Sequence, residues 1–159
     1  MAFTVPIKMK MSFTVACPFE NVFDSLADVP YSADHFPKVK ELVDLGGERY
    51  RWEMEKIGLD RYFIQTVYAS EYTWDKEEGW IAWTPVPGEG NARVTGRWDL
   101  KEIAEGKTKV SFETDAELDL PLPSIAKILL APMIKRQFEE LVNEYLENLK
   151  ATWKELAKG

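Results

Sequence analysis

With 159 residues, 45% of them apolar and 30% charged, the chain has the make-up of one folded domain spanning 1–159, neither disordered nor membrane-spanning. A formal charge of −7 works against phosphate backbones, whose binding depends on a field of Lys and Arg, so no nucleic-acid partner is expected. Cys17 stands alone, which excludes an intrachain disulfide and a Cys-based metal site and suits a reducing, cytoplasmic setting.

Near the start, Lys8 and Lys10 alternate with apolar neighbours, so no signal peptide is read there. Phe3, Val5, Ile7, Met9, Met11, Phe13 and Val15 occupy alternate positions, the pattern of a strand with one buried face. Pro18 stops that ladder, and Phe19, Val22, Phe23 and Leu26 then recur at helical spacing. This short helix is expected to end near Asp28-Val29-Pro30, with a second short helical or turn segment over 31–36. From 38 to 118 the period changes to two. Strands are expected at 38–45, 48–57, 61–74, 79–85, 91–103 and 107–118, with turns at Gly46-Gly47, Gly58, 76–78, 87–90 and Glu105-Gly106. Connections this short make neighbouring strands antiparallel. After Leu120-Pro-Leu-Pro, Ser124 is read as an N-cap. Ile134, Phe138, Leu141, Val142, Tyr145, Leu149, Trp153 and Leu156 then form the apolar stripe of a long helix, kinked or broken around Pro132. The expected class is α+β, a curved antiparallel sheet of about seven strands around a long C-terminal helix.

This order of elements resembles the helix-grip fold of the START-like superfamily, which includes the SRPBCC proteins and the birch pollen allergen. Three stretches carry the likeness: Val15-Ala16-Cys17-Pro18-Phe19-Glu20-Asn21-Val22-Phe23, Ile81-Ala82-Trp83-Thr84-Pro85-Val86-Pro87-Gly88, and Val94-Thr95-Gly96-Arg97-Trp98-Asp99-Leu100 with Gly106-Lys107-Thr108-Lys109-Val110. They look most like the polyketide-cyclase/dehydrase and coenzyme-Q-binding branch. The resemblance implies a site for a lipid, quinone, steroid or polyketide between sheet and helix. It carries no catalytic motif onto a residue of this chain.

If the strand face and the helical stripe meet, Trp52, Met54, Tyr62, Ile64, Tyr68, Trp83, Trp98 and Phe112 share one interior with Ile134, Phe138, Leu141 and Tyr145. A filled core and a lined cavity both satisfy that pattern. The Tyr62 parity is set inward because the alternative would bury Arg61 and Glu71 with Phe63 and Val67. His35, the single histidine, lacks a visible nucleophile or carboxylate partner, and the acidic pairs Glu77-Glu78 and Asp115/Glu117/Asp119 read as solvated faces. No metal, no cofactor and no catalytic residue are expected. The stretch from Ile125 to Ile134, flanked by Lys127, Lys135 and Arg136, is too short to span a bilayer. It is either a deeply packed helix start or an apolar lip that touches a membrane surface or gates ligand entry. The leading expectation is binding or transport of a small hydrophobic ligand. A cyclase or dehydrase, and an accessory protein docking on a membrane or larger enzyme, are the alternatives.

Overall fold

The computed structural model describes residues 3–59 and 62–158, with the backbone alone at Gly58 and Leu59. The alternating N-terminal segment is strand β1 (Phe3–Val15), followed by α1 (Phe19–Ala27), which buries Val22, Phe23 and Leu26. Asp28 serves two helices. Its N–H closes α1 on the Asp24 carbonyl, and its carboxylate accepts from the Tyr31 N–H at the start of α2 (Val29–Ala33). Helix α2 starts earlier than the periodicity suggests because Pro30 sits in its first turn, where a missing N–H costs nothing.

The meander follows as β2 (Val39–Gly46), β3 (Arg49–Met54), β4 (Ile57–Leu59), β5 (Tyr62–Ile64), β6 (Val67–Asp75), β7 (Trp80–Pro85), β8 (Ala92–Ala104) and β9 (Lys107–Leu120). Two expected strands, 48–57 and 61–74, are each interrupted. The chain leaves the main sheet after Met54, forms the β4–β5 hairpin and rejoins as β6; Gly58, expected at a turn, lies within this hairpin opposite Phe63. The Arg61 position lies outside the described residues. Met54 N–H donates to the Thr66 carbonyl, and the Gln65 amide donates to the Met54 carbonyl. The Asn91 side chain donates to the Gln65 carbonyl and accepts from the Val67 N–H. Backbone groups freed by the departure are thereby satisfied.

The main sheet is antiparallel, in the order β1-β9-β8-β7-β6-β3-β2. Its β1–β9 register runs unbroken from Phe3 opposite Leu120 to Val15 opposite Thr108. At the other edge, the pairing of β2 with β3 shifts register between Val39 and Glu41 and again between Asp44 and Gly46. Helix α3 (Ile125–Leu156) lies against the curved sheet and completes a helix-grip fold. It is not broken at Pro132, whose ring is solvent-exposed and needs no interior room. Ser124 precedes α3 but makes no side-chain cap; the first turn is closed by Ala126 N–H to the Pro123 carbonyl and Lys127 N–H to the Ser124 carbonyl. No helix among the described residues is long and apolar enough to cross a membrane.

Candidate ligand cavity

Sheet and helix do not close completely on each other. Two adjoining chambers, of about 80 and 60 Å³, remain between them. The first is walled by Ile7, Met54, Ile57, Ile64, Thr66, Ala92, Ala116, Leu118, Ile134, Gln137 and Leu141, and Glu117 reaches its rim. The second is walled by Leu26, Val29, Ser32, Trp52, Tyr72, Ile81, Trp83, Trp98, Phe112, Thr114, Val142 and Tyr145. Phe36, Tyr68, Val94 and Phe138 line both and form the partition. Neither chamber alone reaches the roughly 150 Å³ that holds a benzene, so even a one-ring guest requires the partition to move.

Besides Thr66, Gln137 and Glu117 at the first chamber, polar groups line the second. Trp52 Nε1–H donates to the Tyr72 hydroxyl at 3.1 Å, and the Ser32 and Tyr145 hydroxyls share a hydrogen bond that ties α2 to α3. Thr114 Oγ1–H is committed to the Thr95 carbonyl. Among the described residues none hydrogen-bonds the Tyr68 hydroxyl; its ring stacks on Trp52 at 5.8 Å between centroids. Burial pushes the Tyr145 phenol up to about 12 against the opposing bond with Ser32, and it also raises Tyr72 and Tyr68 well above the ordinary phenol value. These phenols are neutral hydrogen-bonding groups at physiological pH.

A raised folded-state value for an acid means that the unfolded chain releases its proton first. Stability should therefore be flat below the ordinary phenol value of about 10 and fall as the pH rises toward about 12. Phenolate absorbance should show Tyr68, Tyr72 and Tyr145 ionising only together with loss of tertiary structure. Ionisation of all the tyrosines near the ordinary value in a folded protein would contradict this.

Of the residues expected to face the interior, all but Tyr62 line one chamber or both. Tyr62 is half-buried against the core beside them, while its neighbour Phe63 points to solvent and Ile64 inward, so the parity chosen for this segment is the observed one. Trp83 also points inward. Its cross-strand partner is Gly96, and a Cβ there would collide with the Trp83 ring. Glycine is what lets the indole lie flat across β8. Gly96→Ala should cost about 1–3 kcal/mol and shift the tryptophan emission as Trp83 is displaced, measurable in one urea titration.

Sequence reasoning missed Phe36, Tyr72 and Ser32. Tyr72 shares parity with Tyr68 and was recoverable from the alternation; Phe36 and Ser32 sit in or beside a helix too short to show a period. His35 lines neither chamber. Its Nδ1 lies 2.9 Å from the Tyr31 carbonyl and its Nε2 2.7 Å from Thr152 Oγ1. The carbonyl requires the proton on Nδ1, so in the neutral ring Nε2 accepts from Thr152. The Asn148 amide donates to the His35 carbonyl, completing a tie between α2 and α3 that holds Phe36 in the partition. Among the described residues no group of three His, Cys, Asp or Glu is placed to hold a metal ion.

An antiparallel sheet gripping one long helix around an apolar, tyrosine-marked space defines the class: a START-like, SRPBCC-type protein. Residues 6–153 match the family described as polyketide cyclase / dehydrase and lipid transport, and the chain belongs to that family. No curated protein matches it. Among solved structures it is similar to the Zhui aromatase/cyclase from Streptomyces sp. R1128, with 16% identity, a TM-score of 0.68 and 94% of each chain covered. A START superfamily protein from Mycobacterium smegmatis gives 16% and 0.68, over 94% of this chain and 98% of that one. The protein TTHA0849 from Thermus thermophilus gives 20% and 0.65, over 91% and 94%. At these identities the likeness concerns the fold.

Proposed function

We propose that the protein binds a small hydrophobic molecule in the paired chambers, as a carrier and not as a catalyst. The observation that supports this reading most is the pairing of apolar walls with the Tyr68 hydroxyl at the partition, which no described residue hydrogen-bonds. Shape and aromatic contact supply affinity, and Tyr68 donates to a carbonyl or hydroxyl of the guest. The ligand class is a lipid, quinone or polyketide-like molecule whose leading group is no wider than one ring. Native mass spectrometry of the protein purified from its own cells should reveal a copurified apolar molecule. Tyr68→Phe should weaken acceptor-bearing guests by up to about 10-fold, the worth of one hydrogen bond, and leave hydrocarbon guests unchanged. Equal affinities for both guest types in both proteins would remove Tyr68 from the reading.

The family description favours a second reading, a cyclase or dehydrase in which Tyr145 or Tyr72 orients a polyketide-like substrate. The two separate cleanly. A cyclase loses turnover and keeps affinity when Tyr145 becomes Phe, whereas a carrier changes affinity alone. The third reading, an accessory protein docking on a membrane or larger enzyme, rests on the outer surface of α3.

A further inference from the structure

The first turns of α3 present an outward apolar face that the fold does not use. Ile125 is 80%, Ile128 82% and Leu129 54% exposed, although Ala126, Leu130 and Ile134 on the opposite side are buried and anchor the same turns. This face is therefore held in place, not frayed. Phe63, 81% exposed, projects from the β4–β5 hairpin. Ile57 and Ile64 of that hairpin wall the same chamber as Ile134 and Leu141 of α3, so this chamber is bounded by the hairpin on one side and by α3 beyond its first turns on the other.

The charge of this helix start is opposite to that of the whole. The chain carries −7, yet from Pro121 to Phe138 there is no Asp or Glu, and Lys127, Lys135 and Arg136 are all exposed. Exposed isoleucines framed by cations match an anionic lipid surface, where apolar side chains enter the acyl boundary and Lys and Arg meet the headgroups. A second copy of the chain fits less well: two-fold pairing of this face would bring the same three cations of each copy together.

We infer that the start of α3 and the exposed Phe63 of β5 dock the protein on an anionic bilayer, with the first chamber opening toward the lipid. The inference rests on the carrier reading only for its purpose, since docking itself requires no guest. It is tested with the full chain and vesicles of phosphatidylcholine, with and without phosphatidylglycerol. Cosedimentation should be at least about 10-fold stronger on the anionic vesicles and should weaken as salt is raised. Ile128→Asp/Leu129→Asp should abolish it, and Phe63→Ser should weaken it. Lys135→Glu/Arg136→Glu should remove the preference for phosphatidylglycerol. All these positions are exposed, so circular dichroism and uptake of an apolar dye into the chambers should match the parent protein. Absence of binding by the parent protein to either vesicle overturns the inference, as does binding unaffected by the double Asp variant. A concentration-dependent dimer that the double Asp variant loses would assign the face to a second copy and overturn the inference equally. Dye uptake without vesicle binding leaves the carrier reading standing; vesicle binding without dye uptake removes the carrier reading and keeps the docking face.

Discussion

Val94→Phe is expected to reduce guest affinity about 100-fold or more, some 2.7 kcal/mol, while the protein remains folded. Val94 is 7% exposed, projects from β8, and is one of the four side chains that border both chambers. A phenyl ring at that position occupies the junction itself, so both compartments lose usable space at once. Overpacking should cost about 1–3 kcal/mol of stability. Phe138→Ala should act with the opposite sign on capacity. It removes the partition from the helix side, joins the chambers and lets multi-ring guests enter that the parent protein binds poorly, at a stability cost of up to about 3–5 kcal/mol. Quenching of the tryptophan emission by one-ring and multi-ring compounds reads both variants, because Trp52, Trp83 and Trp98 wall the second chamber. Identical guest profiles in all three proteins would show that the paired chambers are not where guests bind.

Trp153→Ala should be the most destabilising single change, about 3–5 kcal/mol or roughly 10 °C in Tm, without touching guest selectivity. Trp153 is fully buried near the end of α3. Its ring stacks on Phe13 of β1 at 6.4 Å, and its Nε1–H donates to Ser25 Oγ, which in turn donates to the Val22 carbonyl. One side chain thus fastens the helix to the first strand and to α1. Truncation leaves a large void and removes one partner of the Ser25 hydroxyl. Ser25→Ala separates the two effects, because it strands the buried indole N–H and should cost about 1–3 kcal/mol with no void of that size. Chemical denaturation of the two variants checks the order. A Trp153→Ala loss no larger than that of Ser25→Ala would mean the ring's packing contributes little.

Much of this arrangement was legible in the amino-acid order because both periods are strong. The alternation from Ala92 to Leu100 and from Val110 to Leu118 fixes which face of β8 and β9 is inward, and the stripe from Ile134 to Trp153 fixes the buried side of α3. The excursion after Met54 was not legible. What permits it is a set of side chain to backbone bonds from Gln65 and Asn91, residues 26 apart in the case of Asn91 to Gln65, and no local pattern announces such partners. The unbroken path of α3 through Pro132 was hidden for a related reason. Whether a helix tolerates proline depends on which side faces water. The interior was predictable as a set of residues but not as a volume, since filled and hollow interiors share one alternation. The shape of the space depends on rotamers at Phe36, Tyr68 and Phe138.

The interrupted register of β2 has a bearing on how the molecule behaves among its own copies. A straight outer strand offers a row of unpaired amides and carbonyls to any extended peptide, whereas β2 steps twice within eight residues and displays Lys40, Glu41 and Asp44 to water. An incoming strand would lose alignment after a few pairs and meet charge, so stacking of molecules along this border is disfavoured.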